Sequence, residues 1–272
     1  MQSWQSADVA ANGIRLHYTR TGGDGPPLVL AHGVTDDGLC WSPVAAALEP
    51  AYDVIMVDAR GHGRSEAPEH DYDPMTQAAD LAGLIAALGL RRPAILGHSM
   101  GAATTLALAG TYPDLPGAIL LEDPPPWWMV QSPAPPVAGV PDWIVEVKRK
   151  TREELIAGQR AETPGWSEAE LEPWADSKLR FSLNIRDIFS PRNPVSVEWA
   201  AILPAIACPA LLIAADPAMG ALVDEASAAS LAARVRQLRV ARIPGAGHSI
   251  RRDQFDRYME IVRAFLEESW AS

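Results

Sequence analysis

Short apolar runs recur along the chain, and each one stops at a small or polar residue. Pro27-Leu28-Val29-Leu30-Ala31 ends at His32-Gly33, and Val54-Ile55-Met56-Val57 ends at Asp58. Ala94-Ile95-Leu96 ends at Gly97, Ala118-Ile119-Leu120-Leu121 at Glu122, and Ala210-Leu211-Leu212-Ile213-Ala214 runs out at Asp216. Continuous apolar runs of this length fit strands covered on both faces. Before them, residues 7–20 read as two strands about Asn12-Gly13, a pair that tolerates the positive φ of a tight hairpin. Ile14, Leu16 and Tyr18 alternate there with Arg15, His17 and Thr19, as in a half-buried strand. Stretches 76–89 and 100–111 carry Ala and Leu at helical spacing between the strands. Strands alternating with helices predict an α/β fold with a mostly parallel twisted sheet flanked by helices on both faces. Reactive groups then belong just past the C-terminal ends of the strands.

One region breaks the rhythm. From Pro124 to Pro204 no buried-strand run occurs, and the segment opens with Pro124-Pro125-Pro126-Trp127-Trp128. Charged helical pieces follow at 143–161 and 167–181. About 80 residues without structure of their own would be unusual inside a compact domain, so the segment reads as an inserted helical cap. The expected organisation is a core formed by 1–123 and 205–272 with a cap at 124–204.

Composition narrows the function. A formal net charge of −11 disfavours nucleic acid and anionic lipid as partners. Cys40 and Cys208 lack metal-type spacing and read as buried free thiols. The start of the sequence lacks a basic region followed by an apolar run, and no stretch approaches the roughly 20 apolar residues of a membrane span. A soluble, cytoplasmic protein is expected, either a monomer or a homodimer. No cofactor is expected: Thr21-Gly22-Gly23-Asp24-Gly25 precedes a strand rather than a helix, and no His, Cys and carboxylate set has zinc or calcium spacing.

The chemistry concentrates at Gly97-His98-Ser99-Met100-Gly101, between an apolar strand and an Ala-rich helix. Small residues two before and two after a serine let the backbone turn sharply and leave the hydroxyl projecting above the sheet. The helix start behind it offers N–H groups to a developing oxyanion. A serine hydroxyl needs a base. Of the six histidines, His248 fits best, in the Gly-rich loop Gly245-Ala246-Gly247-His248 after a strand-like run at 238–243.

In this order, His32-Gly33, then Asp58-Ala59-Arg60-Gly61-His62-Gly63-Arg64-Ser65, the serine turn and Gly245-Ala246-Gly247-His248, the chain resembles the α/β-hydrolase superfamily over nearly its whole length. The resemblance implies Ser99 as nucleophile and His248 as base. It implies an acid after a late strand, which points to Asp216. Some superfamily members, certain lactone hydrolases among them, carry the acid one strand earlier, which keeps Glu122 as the alternative; Asp123 and Asp224 are the remaining carboxylates. Oxyanion donors are expected at the backbone N–H groups of Val34 and Met100. His32 and Gly33 shape that loop, and Trp41, Trp127 and Trp128 are expected at the substrate, because aromatic clefts favour apolar or aromatic ligands. The resulting expectation is a serine esterase or lactonase of small apolar or aromatic substrates, working through an acyl-enzyme. Cofactor-free haloperoxidase or perhydrolase chemistry, C–C hydrolysis and a non-turnover small-molecule receptor share the same framework. Epoxide hydrolases and haloalkane dehalogenases carry Asp where Ser99 stands and are set aside.

Overall fold

The computed structural model describes residues 4–130, 142–190, 193 and 196–270. Eight strands form one sheet: β1 (Gln5–Ala11), β2 (Ile14–Arg20), β3 (Pro27–Ala31), β4 (Asp53–Val57), β5 (Ala94–His98), β6 (Ala118–Glu122), β7 (Ala210–Ala214) and β8 (Leu238–Arg242). Their spatial order is β1-β2-β4-β3-β5-β6-β7-β8. β1 pairs antiparallel with β2, and β2 antiparallel with β4; every other neighbour is parallel. The hairpin turns on Asn12 at φ 48° and Gly13 at φ 80°, the left-handed pair expected from the sequence.

The apolar runs are continuous because both faces are covered. Val29, Ile55, Ile95, Ile119, Leu121 and Leu212 pack on one face, beneath α2 (Pro74–Ala87), α3 (Met100–Thr111) and α8 (Glu225–Ala232). Leu28, Leu30, Val54, Met56, Leu96, Leu120, Leu211 and Ile213 pack on the other, against α1 (Ser42–Leu48) and α10 (Phe255–Trp270). The alternation of residues between the two clusters is the period of two of a strand. β8 is an edge strand, and its exposed Arg239, Val240 and Arg242 reflect the missing neighbour.

Between β6 and β7 the described elements are helical: α4 (Asp142–Val147), α5 (Arg152–Glu162), α6 (Glu168–Arg180) and α7 (Trp199–Ile202), with 3₁₀ segments of which Leu183–Phe189 is the longest. The expected helix at 143–161 is two helices. Thr151 stops the first from continuing: its side chain accepts from Glu154 N while the Glu154 carboxylate accepts from Thr151 N, a capping box that starts α5 afresh. Residues 131–141 of the expected cap lie outside the described residues. Cys40 and Cys208 are free and buried. Among the described residues no helix is long and apolar enough to cross a membrane.

Candidate active site

β5 delivers Ser99 to a sharp turn at φ 51°, ψ −113°, immediately before α3. Such a conformation costs a non-glycine residue about 1–3 kcal/mol and persists only where the surroundings hold it. They do so closely. A Cβ at Gly97 would sit 2.4 Å from the Gly101 carbonyl oxygen, and one at Gly101 would sit 2.2 Å from that of Ala31. Ser99 N donates to Glu122 O at 2.9 Å, and Gly101 N to His32 O at 3.1 Å. The serine stands at the N-cap position of α3, yet its side chain makes no capping hydrogen bond. Its hydroxyl is therefore not used to finish the helix.

His248 follows β8 and precedes α9 (Ile250–Asp253). Its Nδ1 lies 2.6 Å from Oδ2 of Asp123, the residue just past β6. Asp123 sits at φ 42°, which turns its side chain out of the strand. Leu222 N donates to its Oδ2 at 2.8 Å and Val223 N to its Oδ1 at 3.0 Å. Three donors therefore fix the carboxylate, and an ionised acid facing Nδ1 places the ring proton there, leaving Nε2 with a lone pair.

This geometry corrects the expected pairing. Asp216 does not reach the imidazole; its Oδ2 accepts from Gly245 N at 2.6 Å, holding the loop that leads to His248. Glu122 is still inside β6 and points to the opposite side, where it accepts from Arg251 N at 3.0 Å and Nη1 at 3.1 Å and from the Tyr258 hydroxyl at 3.3 Å. Asp224 caps α8 through Ser227.

Sequence reasoning also passed over His98. Its buried ring reaches the His248 carbonyl from Nε2 at 3.0 Å, so that nitrogen carries the proton. Burial holds its pKa well below the ordinary 6.5, so the ring stays neutral. His98 thus holds the backbone of His248, and its centroid lies 4.8 Å from that of the His248 ring. Gly33 makes room for it: a Cβ there would lie 2.7 Å from His98 Nδ1 and 3.3 Å from Ser99 Cβ.

Ser99, Met100, Val34 and His248 line one cavity of about 540 Å³, shared with side chains of the inserted helices. Trp127, Trp143, Trp166, Trp174, Ile188 and Phe189 form much of its wall. Of the tryptophans expected at the substrate, only Trp127 is there. Trp128 is buried in the core with Nε1 donating to Ser227 O at 3.1 Å. Trp41 is wholly buried beneath the Arg251 guanidinium, 4.1 Å from its ring centroid. His32 does not line this cavity; its Nδ1 donates to Gly33 O and its Nε2 accepts from Ala59 N, which shapes the loop after β3.

Charge is packed under one end of the cavity. Asp36, on the loop after β3, meets Lys178 of α6 at 2.6 Å, Arg252 at 2.9 Å and Arg251 at 3.3 Å. Arg252 also meets Glu170 of α6 at 3.1 Å, and Arg251 meets Glu122 at the same distance. Burial opposes ionisation of Asp36, but Arg252, Lys178 and Arg251 together hold its carboxyl well below the usual aspartate value. Glu122 is shifted the other way, upward, because its burial outweighs the help of Arg251. The network joins the strand loops to α6 through side chains from four parts of the chain.

Residues 28–261 match the alpha/beta hydrolase family. The chain belongs to that family. The N-formylmaleamate deformylase of Pseudomonas putida is 32% identical over 264 residues, 96% of each chain. A crystal structure of N-formylmaleamic acid deformylase from Pseudomonas putida S16 superposes with a TM-score of 0.78 at 26% identity, covering 95% of this chain and all of the other. The enol-lactonase of Burkholderia xenovorans LB400 is also 26% identical, with a TM-score of 0.73 over 96% of this chain and 100% of its own. The α/β-hydrolase superfamily expected from the sequence is the one found, and the chain is an enzyme of the hydrolase class.

Proposed function

We propose that this hydrolase cleaves the acyl bond of a small carboxylic ester, lactone or N-acyl amide, with Ser99 as nucleophile, His248 as general base and Asp123 as the acid that orients it. The observation that carries the reading is the 2.6 Å contact between His248 Nδ1 and Asp123, on an imidazole that lines one cavity with Ser99. A fixed Nδ1 proton leaves Nε2 as the acceptor for the serine proton.

In this scheme Ser99 Oγ attacks the carbonyl carbon and His248 Nε2 takes its proton. The oxyanion is received by the N–H groups of Met100, at the start of α3, and of Val34, on the loop tied to the serine turn through His32 O and Gly101 N. His248 returns the proton to the leaving alcohol or amine. Water, deprotonated by the same ring, then releases the acid from Ser99. The inserted helices act as the cap, walling the cavity with aromatic side chains and limiting the size of the acyl and leaving groups.

The ester and lactone reading rests on the aromatic, enclosed cavity and on the likeness to the enol-lactonase. The N-acyl reading rests on the deformylase, which matches over 96% of the chain. A panel of 4-nitrophenyl esters, lactones and N-formyl amides, run with the native chain and with Ser99→Ala, separates them. Multiple turnover of at least one class is expected, with Ser99→Ala lowering kcat by about 10⁶-fold. Equal rates from the purified variant, or ligand binding without turnover, would contradict the proposal.

A further inference from the structure

The β1–β2 hairpin carries a second serine, histidine and aspartate in the relation that activates a nucleophile, away from the cavity at Ser99. Asp8 and His17 are cross-strand partners in the register, and Ser6 lies two residues before Asp8, on the same face of β1. His17 Nδ1 is 2.7 Å from Asp8 Oδ1, and His17 Nε2 is 2.8 Å from Ser6 Oγ. Proton positions follow from the chemistry of the partners. An ionised carboxylate only accepts, so the imidazole proton is on Nδ1. Asp8 is held in that form, its pKa below the usual value chiefly by the hydrogen bond from His17. Arg64 Nη1, which can only donate, approaches Ser6 Oγ at 3.4 Å. The hydroxyl proton is then directed at His17 Nε2, the arrangement needed for its removal.

The surroundings are those of a binding pocket rather than of a bare strand surface. Ser6, His17, Arg64 and Arg180 line a cavity of about 260 Å³, together with Asp37 and Asp58. His17 is buried while Ser6 is exposed, so the base is shielded and the hydroxyl is open to solvent. Asp37 engages Arg180 through Nε at 2.6 Å, and Arg180 Nη2 is buried without a hydrogen-bond partner among the described residues. Asp58 is already occupied by Gly38 N and Arg64 N. A guanidinium beside the hydroxyl and a second with an unmet donor suit a negative group on the ligand.

From this we propose that Ser6 is a second acylatable serine, activated by His17 and Asp8, which accepts the acyl group of small activated esters bearing a carboxylate. Ser6 Oγ bonds to the carbonyl carbon as its proton passes to His17 Nε2. The bond from that carbon to the leaving oxygen breaks, and the proton goes to the departing alkoxide or phenolate. Water attacking the Ser6 ester, with His17 again taking the proton, returns the hydroxyl and frees the acid. The site does not depend on the chemistry proposed at Ser99.

The test uses the full chain carrying Ser99→Ala, treated with 4-nitrophenyl hemisuccinate or with 4-nitrophenyl acetate, with intact mass and peptide mapping as the readouts. One succinyl adduct mapping to Ser6 is expected. It should form faster than the acetyl adduct, and Arg64→Gln should remove that preference. Both His17→Gln and the surface change Asp8→Asn should slow Ser6 acylation, by about 100-fold for the loss of the base. Circular dichroism on each variant separates loss of reactivity from loss of the hairpin. A Ser99→Ala chain that stays unmodified at Ser6, or Ser6 labelling that His17→Gln and Asp8→Asn leave at full rate, would overturn the proposal.

Discussion

Neighbouring residues in this chain meet opposite fates, and the backbone between them decides which. Trp127 and Trp128 occupy one 3₁₀ turn, yet the first lines the cavity and the second is buried against Ser227. The sequence shows two tryptophans after a proline run and carries no sign of which one turns inward. Trp127→Ala is therefore expected to raise KM with little change in Tm. Trp128→Ala should leave KM nearly alone and cost about 3–5 kcal/mol of stability, read by denaturant unfolding. Similar stability losses from both would contradict the placement. Glu122 and Asp123 form a pair of the same kind. Ser99 and His248 were legible because glycines mark the turns that present them. Asp123 was not, because two carboxylates stand in succession, Glu122 ending β6 and Asp123 following it, and only the positive φ at the second sends it to His248.

At the scale of elements, strands and major helices were written plainly in the alternation of apolar and polar positions. The junction between the inserted helices and the sheet was not. It is made by Asp36, Glu122, Glu170, Lys178, Arg251 and Arg252, which look in sequence like scattered surface charges and are all buried. Breaking one partner of such a network strands the others without water. Asp36→Asn should accordingly destabilise the fold by about 3–5 kcal/mol. Because the folded carboxyl of Asp36 titrates well below 3.8, the native advantage is full above that pH and shrinks as pH falls through the depressed folded value. Denaturant unfolding of both proteins across this range checks it. A variant as stable as the native chain at neutral pH would contradict a coupling role for the network.

For the molecule as a whole, three buried histidines gather at the C-terminal ends of the central strands: His32 follows β3, His62 follows β4 and His98 ends β5. His32, His62 and His98 are each kept neutral chiefly by burial, His62 with a pKa pushed down to about 3. An unfolded chain takes up protons below the ordinary 6.5 while the folded chain does not, so stability falls as pH drops through that window. His62→Gln should flatten the loss by about 1.4 kcal/mol per pH unit, measured by urea unfolding at several pH values below 6.5. An unchanged slope would mean that the ring protonates in the folded state. The same convergence of distant segments supplies the proposed triad, from positions 99, 123 and 248 of one chain. Its most direct test is kcat on the best substrate for Asp123→Asn and Asp216→Asn side by side. The account predicts a fall of about 10⁴-fold for Asp123→Asn and a loss within about tenfold for Asp216→Asn. The opposite ranking would contradict it.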